Sequence, residues 1–309
     1  MNSEDIIVSV LMLSYNHEDT IARAIEGVIK QKTKYRYELI IGDDASTDKS
    51  QSIILDYAKR YADIIIPVCR QKNLGANRNS YDLVRRSHGE YIAVCEGDDY
   101  WIYEHKLDEQ IAFLERNTDY SACYTRCKMM IEGKEYGYPF SECDSISVED
   151  MLNGGDVKRY ATCTLIYRNL FIQNSNLLNY LSEGEIGDIV IQTILIKYGK
   201  IHYYDKDTAV YDKKIVTGTS FSTKTLQQQI SSIRKTLEVC KNISGNEYHN
   251  LWDIYLAGFN VALFWEKKNT SVFEAIKWII DLDIKERKAL MRKLKFDYLQ
   301  AKKYRAIKN

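Results

Sequence analysis

The 309-residue chain balances 43 Lys and Arg against 43 Asp and Glu, so its formal charge is zero and no nucleic-acid partner is expected. Hydrophobic residues at 45% and charged residues at 28% place it among folded globular chains, while 2 Pro and 15 Gly exclude collagen-like and low-complexity classes. The 24 Tyr are unusually many, and since a buried phenol needs a partner, many should lie half-buried or along a polar groove.

Met1–Asp5 lacks the basic stretch of a secretory signal. No apolar run reaches the roughly 18 to 20 residues of a membrane-spanning helix, so a cytoplasmic location is expected. The seven cysteines are odd in number and scattered, which suits reduced thiols. Cys123 and Cys127 have the spacing of a metal pair but no matching second pair, and buried structural thiols explain them better.

The first 130 residues alternate two periodicities. Ile7–Leu13 reads as a strand and Asp19–Lys30 as a helix with Ile21, Ala24, Ile25 and Val28 on one face. The unit repeats as Glu38–Ile41 with Lys49–Arg60, Ile64–Val68 with Asn77–Arg86, and Tyr91–Val94 with Glu104–Arg116. Strands alternating with helices imply a parallel sheet with right-handed crossovers, whose ligands bind at the carboxyl ends of the strands. Tyr120–Ile131 predicts a further strand, followed by a Gly-rich, acidic surface excursion through Asp156. Thr162–Tyr167 reads as a strand, Glu185–Tyr198 as a helix, and Lys200–Tyr211 as one or two strands. Beyond Phe221 the pattern is helical over Thr225–Lys241, Glu247–Lys267, Ser271–Ile280 and Lys285–Ala306. A boundary is expected near Val216–Thr223, where Thr-Gly-Thr-Ser interrupts the pattern.

Three of the first four strand ends are strongly polar or acidic. Asp43 and Asp44 precede Ser46-Thr47-Asp48; a helix cap would use Ser46 or Thr47, but it does not account for two adjacent carboxylates. Such carboxylates can accept from the N–H of a base or from ribose hydroxyls. Glu96-Gly97-Asp98-Asp99 places three carboxylates within four residues, which repel one another unless a cation screens them. Hard oxygen ligands of this kind suit Mg²⁺ or Mn²⁺.

Val8 to Asn16, Glu38 to Asp48, Asn73-Leu74-Gly75 with Asn77-Arg78-Asn79, Glu96 to Trp101 and Lys106-Leu107 together resemble, in order and spacing, the family 2 glycosyltransferases. The resemblance implies an α/β fold of the GT-A (Rossmann-like) type, a mostly parallel sheet flanked by helices and followed by a C-terminal helical region. It divides the chain into a GT-A domain over 1–220, with a nucleotide-sugar half at 1–116 and an acceptor half at 117–220, and a helical region over 221–309 with a basic end. It implies an inverting transferase that uses a nucleotide-diphosphate sugar, UDP-linked by preference, and Mn²⁺ or Mg²⁺. The acceptor would be a hydroxyl of a glycan or lipid-linked glycan in bacterial-type surface polysaccharide synthesis.

Carried over by the resemblance, Ser14, Tyr15 and Asn16 line the nucleotide pocket, with Asp44 reading the base and Asp43 beside it. Asn73, Gly75 and Arg78 belong to the segment that closes over the nucleotide. Glu96-Gly97-Asp98 occupies the Asp-X-Asp signature, with Asp98 as the metal ligand and Glu96 a departure from the first Asp. Asp99, Trp101, Glu185 and Thr164 fall near the donor or acceptor sugar, and Thr162 and Thr164 match the acceptor-side strand loosely. Asp188, in Glu185-Ile186-Gly187-Asp188, matches the catalytic base of the family's Gly-Asp helix; capping that helix or favouring its dipole is the simpler alternative for it. Tyr211-Asp212-Lys213-Lys214 stands where relatives carry Tyr-Arg and a following His, so Asp212 and Lys214 depart; Lys213 or Lys214 could supply the positive charge, and a solvated charge run explains them equally well.

Two rival readings remain at this point. A nucleotidyltransferase would carry a Gly-rich basic loop after the first strand, and Ser14-Tyr15-Asn16-His17-Glu18 does not resemble one. A catalytically silent nucleotide-sugar-binding subunit of a polysaccharide assembly complex is suggested by Glu96 and Asp212. Between Lys285 and Lys308 ten basic residues face two acids, so the neutral chain joins an acidic body to a basic end. A solvated helix face is the default reading of that end, but Leu290, Leu294, Tyr298 and Leu299 give it an apolar side, with which a basic helix can also rest on an anionic membrane.

Overall fold

Residues 6–131, 133–137, 146–147, 160–213 and 225–249, with single positions 252, 253, 256, 280, 284, 287, 288 and 291, are described by a computed structural model. The chain divides into two compact units, one over Met1–Ser147 and Arg159–Thr217, the other over Val148–Lys158 and Gly218–Asn309.

In the first unit, four strands follow the expected βα alternation: β1 (Val8–Ser14), β2 (Tyr37–Asp43), β3 (Ile65–Cys69) and β4 (Tyr91–Val94). They pair in parallel in the order β3-β2-β1-β4, so the chain reverses its direction of winding between β1 and β4. The helices between them are α1 (Ile21–Ile29), α2 (Ser50–Arg60) and α3 (Ala76–Arg86). α1 buries Ile21, Ala24, Ile25 and Val28, the i, i+3, i+4, i+7 stripe that the sequence predicted. β1 is covered on both faces, and every residue but Leu13 is buried.

Beyond β4 the sheet becomes mixed. A two-residue strand β5 (Tyr100–Trp101) precedes α4 (Lys106–Arg116), and β6 (Tyr120–Ile131) turns back through the hairpin strand β7 (Lys134–Tyr136). The predicted strand Thr162–Tyr167 is instead a 3₁₀ turn at Thr162–Thr164 followed by β8 (Ile166–Arg168). Thr164 causes the difference: its amide and hydroxyl both bond to the carbonyl of Ala161 at 2.9 and 2.7 Å, closing a turn where a strand would need free ladder groups. β8 lies antiparallel between β4 and β6. Two short helices, α5 (Leu170–Gln173) and α6 (Leu177–Glu183), lead to α7 (Gly187–Tyr198) and then β9 (Lys200–Lys213), which runs parallel to β6 and antiparallel to β5. α7 is buried from Ile189 to Leu195, the all-round apolar pattern of an interior helix.

The second unit contains α8 (Leu226–Ser244), begun by a capping box in which Thr225 and Gln228 satisfy each other's backbone N–H. Trp252 is fully buried and donates its indole N–H to Ser244 at 2.9 Å, and Lys241 pairs with Asp253 at 2.9 Å. Most of the predicted Glu247–Lys267, Ser271–Ile280 and Lys285–Ala306 helices, and of the excursion through Asp156, lies outside the described residues. No helix among the described residues is long and apolar enough to cross a membrane. Cys95, Cys123, Cys127, Cys163 and Cys240 are buried free thiols.

Candidate active site

The carboxyl ends of β1, β2 and β4 are joined by backbone hydrogen bonds. Ser14 stands opposite Asp43 in the ladder, Asp44 N–H donates to Ser14 at 2.9 Å, and Gly97 N–H donates to Leu13 at 2.8 Å. The strand ends that sequence singled out therefore share one place, at the crevice beside the β1–β4 reversal. Two non-glycine residues here hold left-handed backbone, Asn16 (φ 56°) and Ala45 (φ 61°), each at a cost of about 1 kcal/mol. What holds them is a zipper between the two loops. Asn16 N–H donates to Ser46 Oγ at 2.9 Å, Asn16 Oδ1 accepts from Thr47 N–H at 2.8 Å, and Glu18 N–H donates to Asp48 at 3.0 Å. Neither Ser46 nor Thr47 caps α2, whose N-cap is Lys49. Tyr15 is half-buried between these contacts.

Asp43 and Asp44 are both buried, and their carboxylates already bind the protein. Asp43 accepts from the amide and hydroxyl of Ser46. Asp44 accepts from the backbone N–H of Leu74 and of Gly75, both at 2.8 Å, with the Arg70 guanidinium 3.8 Å away. Gly75 has φ 88°, a left-handed geometry that favours glycine, and it starts α3. Asn73 completes the staple by donating to the Asp44 carbonyl at 3.1 Å. Asp44 thus fixes the 73–75 segment, and any ligand contact it makes comes from its remaining lone pairs. Arg78 is exposed on the first turn of α3 and makes no ion pair among the described residues.

Sequence reasoning missed Arg70 and the part played by Asn77 and Asn79. Arg70 donates to Asn79 at 2.8 Å and to Asp82 at 2.9 Å, and Asn79 donates to the Gly42 carbonyl at 2.8 Å. Asn77 donates to the carbonyls of Leu181 and Gly184, tying the start of α3 to the approach to α7. The only signal available was a cation at the polar end of β3 and two asparagines flanking Arg78.

The acidic turn is compact. Gly97 is required there, because a Cβ would come within 2.6 Å of His17 Nδ1 and 3.1 Å of the Leu13 carbonyl. Asp98 is half-buried. Glu96 Oε2 is shut off from solvent and has no hydrogen-bond partner. Burial pushes the Glu96 carboxyl up to about 7, opposed by the Thr162 side chain and reinforced by Asp98 and Asp188. Asp99 is pushed up as well, by burial and then by Asp98 and Glu96, and its Oδ1 accepts the backbone N–H of Asp212 at 2.9 Å. Among the described residues no three His, Cys, Asp or Glu side chains form a ready metal cluster. The orphaned Glu96 oxygen and the mutual repulsion of the turn's carboxylates nevertheless fit a divalent cation, which would neutralise both.

Asp188 lies in the first turn of α7, exposed, and its Oδ1 accepts from the amide of Ile189 at 2.9 Å. The N-cap is Ile186, and Asp188 in the first turn satisfies an amide and favours the helix dipole, as its simpler reading has it, while its charge also bears on Glu96. Glu185 is half-buried just before that helix. Two predicted sugar-side residues lie behind the site. Trp101 is 4% exposed and donates its indole N–H to the Cys163 carbonyl at 2.8 Å. Thr164 is fully buried, with its hydroxyl on Ala161 and its carbonyl held by Lys106 and Gln110. Asp212 pairs with Arg23 at 2.7 Å, and that guanidinium lies 3.8 Å from the centre of the Tyr100 ring. Lys214 and the Lys213 side chain lie outside the described residues.

The sequence model of glycosyl transferase family 2 matches residues 9–174, which takes in the ends of β1 to β4 and the acidic turn. The chain belongs to glycosyl transferase family 2. Within it, an uncharacterized protein of Mycobacterium tuberculosis is 36% identical over 164 residues, 52% of this chain and 46% of that protein. The Escherichia coli UDP-Glc:α-D-GlcNAc-diphosphoundecaprenol β-1,3-glucosyltransferase WfgD is 32% identical over 114 residues, 37% of this chain and 43% of that protein. The chain thus spans about half the length of the curated relatives it matches. In fold it is similar to S. aureus TarS 1–349 in complex with UDP-GlcNAc, at TM-score 0.62 and 17% identity over 94% of this chain and 80% of TarS 1–349. It is also similar to a mannosyltransferase of Pyrobaculum calidifontis in complex with GDP-Man and Mn²⁺, at TM-score 0.50 and 14% identity over 93% of this chain and 84% of the other. The family 2 fold is therefore of the GT-A type: a mostly parallel sheet between helices.

Proposed function

We propose that this chain is an inverting glycosyltransferase that moves a sugar from a nucleotide-diphosphate donor, UDP-linked by preference, to a hydroxyl of a glycan or lipid-linked glycan in bacterial surface polysaccharide synthesis. The observation that carries this reading is the meeting of two unlike acidic groups at one crevice. The Glu96–Asp99 turn gathers three carboxylates, with Glu96 Oε2 buried and unpartnered and Asp99 buried, and Asp188 is exposed at the start of α7 with its charge bearing on Glu96. UDP as the donor's nucleotide follows the UDP-GlcNAc complex of TarS and the UDP-Glc named for WfgD, and the lipid-linked acceptor follows the diphosphoundecaprenol of WfgD.

Asp98, with Glu96 beside it, would hold Mn²⁺ or Mg²⁺, whose charge stabilises a departing nucleotide diphosphate. Ser14 and the Asn16–Ser46 zipper shape the nucleotide pocket, and the Asp44 staple holds the 73–75 segment over it. Asp188 accepts the proton of the attacking acceptor hydroxyl, and the Asn77 hydrogen bonds to the carbonyls of Leu181 and Gly184 tie α3 to the approach to its helix. Gly187 lies against Asn77, since a Cβ there would meet Asn77 Oδ1 at 2.6 Å.

An anionic membrane surface is the proposed location of the acceptor. Ile280, Ile284 and Met291 are 64, 71 and 57% exposed, and Arg287 and Lys288 share a surface depression with Ile284 and Met291. Apolar side chains among cations match the interface of a bilayer carrying acidic lipids. A panel of UDP-, GDP- and dTDP-sugars, read as released nucleotide with and without Mn²⁺, tests the function. Release from one donor class is expected; intact nucleotide binding without release or transfer from any donor would support the silent-subunit reading instead.

A further inference from the structure

Tyr160 belongs to none of the motifs that the sequence singled out. Its side chain is 7% exposed, yet its hydroxyl has no hydrogen-bond partner. Orphaned buried polar atoms are rare in folded proteins, because each forfeits its hydration without compensation. Two others belong to the site described above: Ser14 Oγ at the end of β1 and Glu96 Oε2 at the end of β4.

Tyr160 is placed with them by its neighbours. Thr162, two residues on, faces the Glu96 carboxyl, and Asp188 is the acid whose charge bears on the Tyr160 phenol. Burial and that charge hold the phenol in its protonated form, which makes it a donor.

The ring is also fixed. It packs on Tyr124 with centroids 5.2 Å apart, and Tyr124 packs on Tyr203 at 5.3 Å. The turn that follows is pinned by Trp101 on the Cys163 carbonyl and by Lys106 on the Thr164 carbonyl, each at 2.8 Å. A rigid, buried and unsatisfied donor beside a proposed base suits a substrate that brings its own acceptor oxygen.

We infer that Tyr160 is an acceptor-sugar contact: its phenol donates a hydrogen bond to a hydroxyl neighbouring the one that Asp188 deprotonates, and so selects which hydroxyl is glycosylated. This deepens the glycosyltransferase reading and rests on it. A site built to hydrogen-bond a substrate group discriminates against loss of that bond more sharply than an apolar pocket does.

The test compares wild type with Tyr160→Phe in three measurements. UDP release from UDP-glucose and UDP-GlcNAc into water reports donor handling. The same release is then followed against alkyl glycosides of glucose, galactose and GlcNAc and against an alkyl GlcNAc-diphosphate, and thermal unfolding is measured without ligand. The expected result is a KM for the accepted sugar raised about tenfold, the loss of one neutral hydrogen bond, with donor KM and release into water within about twofold. Unfolding should occur at the same or a higher temperature, since the substitution removes an unpaired donor.

An unchanged acceptor KM, an equal rise in donor KM, or a clear drop in thermal stability would overturn the inference. So would a wild-type protein that hydrolyses a donor but glycosylates none of these sugars. If wild type releases nucleotide from none of the UDP-, GDP- and dTDP-sugars, the proposed function fails, and this inference with it.

Discussion

The Lys106 ammonium lies 2.8 Å from the carbonyl oxygen of Thr164, and both residues are fully buried. Gln110, one turn further along α4, accepts from Lys106 and donates to the same carbonyl at 3.2 Å. No carboxylate pairs with Lys106 in these contacts; the Trp101 ring lies 5.3 Å away. A buried cation with only neutral partners is costly, and its effect is to fix the turn that carries Thr162 to Glu96.

That cost has a pH signature. Burial lowers the Lys106 pKa to about 8, below its ordinary 10.5. Below pH 8 both states are protonated and the full penalty applies. Between about 8 and 10.5 the unfolded chain binds more protons, so stability rises with pH by an amount on the order of 2–3 kcal/mol. Lys106→Met should lose this rise, and urea unfolding of both proteins at pH 7.5, 9 and 10 measures the difference. Parallel curves for the two proteins would show that Lys106 keeps its ordinary pKa in the folded chain, as a solvated ammonium does.

Asp44→Ala should remove the acceptor for the Leu74 and Gly75 amides, costing about 1–3 kcal/mol in chemical denaturation and weakening UDP binding in calorimetry. Asp44→Asn keeps one acceptor oxygen and should fall between. Equal UDP affinity in all three proteins would detach the 73–75 segment from the nucleotide.

Gly97→Ala should cost about 1–3 kcal/mol, because the new methyl meets His17 and the Leu13 carbonyl. Gly137→Ala, where a Cβ meets nothing within 4 Å, is the control and should be near neutral in the same thermal scan.

These elements also show where sequence was informative. The α1 stripe and the β1 and β4 runs could be placed within a residue or two, because burial on one or both faces writes directly into apolar spacing. The strand-end acids were visible for the same reason, as polar residues interrupting apolar runs. β5 was not legible, since two residues carry no period, and it exists through its pairing with Val210 and Ala209. α5 and α6 were not predicted either. Of the Asp43-Asp44 doublet, Asp43 is held locally by the amide and hydroxyl of Ser46, whereas the partners of Asp44 are the backbone amides of Leu74 and Gly75, about 30 residues away, and amides leave no mark in a sequence.

Ile284→Asp with Met291→Asp should reduce binding to vesicles containing acidic phospholipid in a flotation assay, and added salt should weaken the wild-type protein further. Binding that is indifferent to both changes would remove the membrane surface from the account.

The central claim is the division of labour between Asp98 and Asp188. Using the donor found in the nucleotide-sugar panel, transfer and donor binding are measured side by side for wild type, Asp98→Asn and Asp188→Asn. Asp98→Asn should lose the Mn²⁺-dependent part of nucleotide binding. Asp188→Asn should bind the donor as wild type does and lose transfer by about 10³-fold; near-normal transfer by Asp188→Asn would contradict the account.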